Sequence, residues 1–230
     1  MSIVLSVYNH GALLGRAIES VLAQATGDWE LVIADDGSTD DSREVAEGYA
    51  GRCPQIALLG LRHVGLAAAI NAAFRVTTGA YLTTLDADDY YRGDHLRDNI
   101  RYLGEHPEAD LIMSKAEVLG DPYVVDLEEP GKLIHLDRCA IGGTFFVRRA
   151  VFEAVGGMPA IQFGMDYHFA RKVEAAGYEL QRRDARTYVY DRTRGGSMTK
   201  TAELQMRAGQ APGRDGVDAT GRPRAGTRPR

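Results

Sequence analysis

The sequence is poor in cysteine, has no long apolar run and carries no surplus of positive charge. Cys53 and Cys139 are its only two cysteines, far apart and in no C-x-x-C pair. That excludes a disulfide framework and a cysteine-built zinc knuckle, and reads as two reduced core thiols in a cytoplasmic protein. No stretch reaches the roughly 18 consecutive apolar residues of a membrane span, and the N-terminus runs straight into a strand-like segment rather than a signal peptide. A soluble chain without a transmembrane segment is therefore expected. With 27 Lys and Arg against 32 Asp and Glu, the formal net charge is −5. A nucleic-acid partner needs a basic face, so none is expected, and any anionic ligand must be met locally.

A hydrophobic content of 44% is enough for a sizeable core. Ser2 to Tyr8 is a short, apolar, β-branched run closed by the turn residues Asn9, His10 and Gly11, the pattern of a buried first strand. Leu13, Leu14, Ala17, Ile18, Val21 and Leu22 then recur at helical spacing, with Arg16, Glu19 and Ser20 between them. The alternation repeats: strand Trp29 to Ala34 and helix Asp41 to Ala50, then strand Ile56 to Leu61 and an Ala-rich helix from Gly65 to Val76, with Gly79 as its C-terminal cap. Strand Tyr81 to Leu85, helix Asp94 to Glu105 and strand Leu111 to Ala116 complete a doubly wound α/β pattern. Beyond it the order changes: Pro122 to Pro130 reads as loop, and Gly142-Gly143 as a turn before a strand from Thr144 to Val147. From about Met206 the chain is Arg-, Gly- and Pro-rich without apolar periodicity, so residues 206–230 are expected to be disordered.

Ligands in open α/β sheets bind beyond the carboxyl ends of the strands. Three such ends carry polar clusters here: Tyr8-Asn9, Asp35-Asp36 and Asp86-Ala87-Asp88-Asp89. Carboxylates crowded at one place raise one another's pKa unless a cation neutralises them. A hard divalent ion, Mg²⁺ or Mn²⁺, suits aspartate oxygens and shares its shell with ligand phosphates. The competing reading is that strand-end aspartates cap helices or satisfy backbone amides, and Asp89 could equally cap the turn before Asp94.

Taken together, Ser6-Val7-Tyr8-Asn9, Ala17-Ile18-Glu19-Ser20-Val21-Leu22-Ala23-Gln24, Asp35-Asp36-Gly37-Ser38-Thr39-Asp40 and Leu85-Asp86-Ala87-Asp88-Asp89 resemble the family 2 glycosyltransferases. The likeness runs to about Lys200, through Gly156-Gly157 and Gly195-Gly196-Ser197-Met198-Thr199. It implies a GT-A fold: a Rossmann-like, mostly parallel central sheet with helices on both faces, in a single domain over 1–205. Residues 1–116 would form its nucleotide-sugar-binding half and 117–205 its acceptor-side half.

The resemblance also implies roles. Tyr8 and Asn9 would lie at the nucleotide, with Tyr8 on the base and Asp36 accepting from a base N–H. Asp86 would face the ribose or metal, and Asp88 would hold Mn²⁺ or Mg²⁺ against the diphosphate. Asp166 falls where inverting members keep their general base at a helix start, although an aspartate there can equally cap the helix. The implied reaction passes a sugar, from a UDP-sugar by default with dTDP and GDP as alternatives, to a hydroxyl or amine of a saccharide or small-molecule acceptor. Peripheral membrane contact would accompany a lipid-linked acceptor.

The sequence departs from the family pattern in places. Arg194 stands where relatives often have a histidine; it cannot ligate a metal but can pair with a diphosphate. Met165 replaces a second acid, Ile70 a commonly basic residue, and His63-Val64-Gly65 a common Asn-x-Gly. His63 is read as a turn residue and Asn71 as a packed helix position. These departures leave open a relative that binds a nucleotide-sugar without transferring it, or that serves as structural partner of an active enzyme. A phosphatase of the haloacid dehalogenase type expects its Asp-x-Asp on the first strand, and a receiver domain has no use for the Asp86 cluster. A nucleotidyltransferase expects a Gly-rich loop where Tyr8-Asn9-His10-Gly11 stands.

Overall fold

The computed structural model describes residues 1–129, 131–161 and 164–193. The chain opens with β1 (Ser2–Val7), α1 (Gly11–Leu22), β2 (Glu30–Asp35), α2 (Ser42–Ala50), β3 (Ile56–Gly60) and α3 (Leu66–Arg75). It continues through β4 (Tyr81–Asp86), the short β5 (Tyr90–Tyr91), α4 (His95–Glu105) and β6 (Leu111–Leu119). The remaining elements are a hairpin of β7 (Tyr123–Val125) and β8 (Leu133–His135), then β9 (Phe145–Arg148), α5 (Arg149–Ala154), α6 (Met165–Ala175) and β10 (Leu180–Asp191).

Among the described residues, eight strands form one sheet in the order β3-β2-β1-β4-β9-β6-β10-β5. The first four are mutually parallel, as are β6 and β10; β9 lies antiparallel between β4 and β6 and joins the two blocks. The central strands β1, β2 and β4 are buried on both faces, and period-2 alternation divides their side chains between two cores. Ile3, Leu5, Leu31 and Ile33 pack with Leu14, Ile18, Val21, Leu96 and Leu103 of α1 and α4. Val4, Val32 and Ala34 pack on the other face with Ile70, Phe74, Phe152, Phe169 and Val173 of α3, α5 and α6. Helices thus cover both faces, and the sheet is the mostly parallel one expected of a GT-A fold.

Three expectations need correction. Gly79 does not cap α3, which ends at Arg75 with Val76 as its C-cap. A Cβ at Gly79 would lie 2.5 Å from Ser2 Oγ, and its amide donates to Ser2 Oγ and to Glu30. Glycine is there because β1 begins against that backbone. The segment expected to be loop from Pro122 contains β7, since Tyr123 to Val125 pairs with Leu133 to His135 across it. Strand β6 runs three residues past Ala116, to Leu119, alongside β10.

Candidate active site

Parallel register assembles the strand ends. β1 lies between β2 and β4, with Val7 beside Asp35 and Ser6 beside Asp86, so all three polar clusters leave the sheet along one edge.

At the β1–β2 end, Tyr8 is exposed and its ring lies 4.3 Å from that of His63. His63 Nδ1 is 3.2 Å from the Asp36 carbonyl oxygen and 3.7 Å from its carboxylate. The Asp36 carboxylate accepts from the amides of Val64 (2.6 Å) and Gly65 (2.8 Å), which fixes the turn carrying His63 beside Tyr8. Asn9, at φ 55°, accepts from the Thr39 amide with its side-chain oxygen (2.7 Å), while its own amide donates to Ser38 Oγ. Asn9 therefore ties the Asp36–Asp40 loop to β1. Asp35 is fully buried, accepting from the Ser38 amide and pairing with Arg43 at 3.0 Å. His63 occupies the turn expected of it, yet its ring also builds the Tyr8 platform. Asn71 is structural, exchanging hydrogen bonds with the backbone of Met158.

At the β4 end, the turn after Asp86 is closed by the Asp89 amide donating to the Asp86 carbonyl. Burial, reinforced by the charges of Asp88 and Asp166, pushes the Asp86 carboxyl up to about 7. Asp89 faces inward and does not cap the turn before Asp94. Its carboxylate accepts from the Tyr188 hydroxyl (2.5 Å) and the Asp191 amide (2.8 Å), clamping the turn to β10.

Asp166 is the second residue of α6, whose N-cap is Gly164 at φ 73° with no side-chain cap bond. Asp166 therefore does not occupy the N-cap position. Burial raises its carboxyl to about 6, opposed by a hydrogen bond from the Gly142 amide. Gly142 and Gly143 open with a short 3₁₀ turn, but close approach is what requires glycine. A Cβ on Gly142 would lie 2.6 Å from Asp166 Oδ1, and one on Gly143 2.1 Å from the Tyr188 ring.

A cavity of about 510 Å³ has Thr84, Asp86, Gly142 and Asp166 among its lining residues. Leu66, Ile70, Met165 and, from the β7–β8 hairpin, Val124, Val125 and Ile134 are its apolar lining, and the volume is ordinary for a small-molecule site. Tyr8, Asn9, Asp36 and Asp88 do not line it; they lie on the neighbouring stretch of the same sheet edge. Arg194, the Gly195–Thr199 segment and residues 206–230 lie outside the described residues.

No cluster of three or more His, Cys, Asp or Glu side chains forms a metal cage among the described residues. Asp86 and Asp88 alone fit a cation that takes one or two carboxylates and completes its shell with ligand phosphates and water, as Mg²⁺ and Mn²⁺ do.

The sequence profile described as "Glycosyl transferase family 2" matches residues 2–156. The chain belongs to that family. An uncharacterised glycosyltransferase of Nostoc is 42% identical over 98 residues, 42% of this chain and 30% of that protein. A putative glycosyltransferase of Bacillus subtilis, EpsE, is 26% identical over 170 residues, 70% of this chain and 61% of EpsE. Chondroitin synthase of Escherichia coli is 34% identical over 94 residues, 41% of this chain and 14% of that protein. Two solved structures share the fold at 20% identity and a TM-score of 0.70. Staphylococcus aureus TarS, in complex with UDP-GlcNAc, is matched over 86% of this chain and 60% of its own. A Pyrobaculum calidifontis mannosyltransferase, in complex with GDP-Man and Mn²⁺, is matched over 92% of this chain and 65% of its own. The chain thus spans less than two thirds of each of these relatives. No helix of the described family 2 domain is long and apolar enough to cross a membrane.

Proposed function

We propose that the chain is an inverting glycosyltransferase that moves a sugar from a nucleotide diphosphate sugar to a hydroxyl or amine acceptor. The observation carrying this reading is that Asp86, beside the Asp88 turn, and Asp166, on a separate helix, open into one cavity. A donor held at the first carboxylates would present its sugar toward the second.

Tyr8, with its ring exposed on the His63 platform, offers the base a stacking face, and Asp36 keeps lone pairs for a base N–H beyond its two backbone bonds. Asn9 acts by fixing the loop between them. Asp86 and Asp88 would hold Mn²⁺ or Mg²⁺, which when bound supplies positive charge to the departing diphosphate. Arg194 is assigned to the same diphosphate by its guanidinium chemistry.

Asp166 takes the proton of the acceptor hydroxyl. A carboxylate raised to about 6 is a stronger base than an ordinary aspartate and is still ionised at neutral pH. The acceptor oxygen then attacks the anomeric carbon from the side opposite the nucleotide. The C–O bond to the diphosphate breaks as the new glycosidic bond forms, inverting the centre.

UDP-sugar is the default donor, the nucleotide half is assigned to residues 1–116 and the acceptor half to 117–205, and the reaction is placed in the cytoplasm. Thermal melting against UDP-, dTDP-, GDP- and CMP-sugars, with and without Mn²⁺, tests the donor side. A ligand at 100 times its dissociation constant adds about 2.7 kcal/mol of stability. A metal-dependent shift with one nucleotide, lost in Asp88→Ala, supports the proposal; no shift with any of them contradicts it.

A further inference from the structure

One polar stripe of α1, continued at Gln24 just past its C-cap Ala23, grips the segment that follows Asp86. Arg16, Ser20 and Gln24 recur at the four-residue spacing that aligns side chains along a helix. The Arg16 guanidinium donates to the main-chain carbonyl of Asp88, Ser20 Oγ accepts from the Tyr91 amide at 3.0 Å, and Gln24 Oε1 accepts from the Leu96 amide at 3.0 Å. Residues 88–96 are thereby bound to the helix at successive points.

Arg16 does more than hold one carbonyl. Its second arm pairs with Asp191 Oδ2 at 2.7 Å, and its plane lies 4.5 Å from the centre of the Tyr90 ring. Asp191 is buried at the end of β10, where its other oxygen accepts from the Thr193 amide and hydroxyl. The Asp191 amide, in turn, donates to Asp89. The Asp86–Asp89 turn is therefore fixed to β10 twice, by Asp89 from inside and by Arg16 across Asp191 from outside. A planar guanidinium can fork between a carbonyl and a carboxylate while stacking on an aromatic ring; an ammonium cannot do all three.

We propose that Arg16 is a positioning residue for the metal site, its Asp191 pair fixing the backbone of Asp88 so that this carboxylate is preorganised to receive the divalent cation. The inference rests on the proposed function, since it takes Asp88 as a metal ligand. Arg16 itself touches neither cation nor donor; it acts through the Asp88 carbonyl, as outer partners of metal ligands do.

The test is a Mn²⁺ titration followed by electron paramagnetic resonance of the free ion, with UDP and in parallel with GDP. It is run on the full chain and on Arg16→Met, Arg16→Lys, Asp191→Asn, the Arg16→Met/Asp191→Asn double variant and Asp88→Ala. Ligand-free melting of each variant reports folding separately. Outer-partner loss typically weakens metal binding by about 10- to 100-fold. That loss is expected in Arg16→Met and Asp191→Asn, no greater in the double variant than in the weaker single one, and only partly recovered by Arg16→Lys. Should Arg16→Met fail to fold, Arg16→Lys and Asp191→Asn carry the comparison. Mn²⁺ affinity within about twofold of wild type in folded Arg16 and Asp191 variants, while Asp88→Ala abolishes binding, overturns the inference and leaves the proposed function standing. A wild-type chain that binds no Mn²⁺ with either nucleotide overturns the inference together with the assignment of Asp88 as a metal ligand.

Discussion

Asp86, at the end of β4, and Asp166, at the start of α6, share one cavity, and the charge of Asp166 adds to burial and to Asp88 in raising the Asp86 carboxyl to about 7. Two buried acids held close without a cation are a cost to the fold, and that cost titrates. Both have folded pKa values above the ordinary value of 3.8, so the folded state binds more protons than the unfolded one between about 4 and 7, and their contribution to stability falls as pH rises. His95, buried and pushed down to about 3, works in the opposite sense, losing stability as pH falls below its ordinary value of 6.5. The comparison that isolates the acids is therefore between variants. In urea melts at pH 5 and pH 8 without metal, Asp86→Asn should gain stability relative to wild type at pH 8 and little at pH 5. An equal difference at both values would count against the raised carboxyl.

The same titration should shape activity. With Asp166 near 6 and required as carboxylate, kcat/KM should decline tenfold per pH unit well below about 6 and level off above it. A profile measured from pH 4.5 to 8 at saturating Mn²⁺ checks this; activity flat through pH 5 would remove Asp166 from the role of base.

Asp88 and Asp89 are adjacent but should respond in opposite ways. Asp89→Ala leaves the buried Tyr188 hydroxyl without its acceptor, costing about 1–3 kcal/mol. Asp88→Ala should leave the fold near wild-type stability and abolish metal-dependent nucleotide binding. Urea denaturation beside calorimetric titration with UDP and Mn²⁺ separates the two.

The paired glycines should separate likewise. In Gly142→Ala the new methyl meets Asp166 Oδ1 and must displace it, so turnover should fall while the chain still folds. In Gly143→Ala the methyl meets the buried Tyr188 ring, an overpacking that costs about 1–3 kcal/mol. Melting temperatures and single-turnover rates of both variants decide it.

Tyr8→Ala should weaken nucleotide binding about two- to tenfold, the loss of a stacking face worth roughly 0.5–1.5 kcal/mol, and leave stability unchanged because the ring is exposed. Calorimetric titration with the nucleotide that gives the largest thermal shift checks both halves of this expectation.

Much of this arrangement is legible in the sequence because its strands and helices carry clean apolar patterns. β1 and β2 are continuous apolar runs, the apolar residues of α1 repeat at helical spacing, and the carboxylates stand at strand ends. What local pattern could not reveal was contact between distant segments. Gly79, Gly142 and Gly143 read as cap or turn because nothing nearby in sequence says that Ser2, Asp166 and Tyr188 would come against them. Asp89 was drawn toward a local turn because its partners lie on β10. Arg16 read as one more polar residue between apolar ones, although its spacing to Ser20 and Gln24 was a visible sign of a second ordered face. His63, followed by an exposed Val64 in the turn after β3, gives no local indication that its ring packs against that of Tyr8.

The most direct test of the account is turnover of the nucleotide-sugar that stabilises the chain, to water or to a saccharide acceptor, by wild type and Asp166→Asn with Mn²⁺ present. The account predicts that Asp166→Asn binds the donor as wild type does and turns over slower by about 10² or more. Wild-type turnover by Asp166→Asn would contradict it.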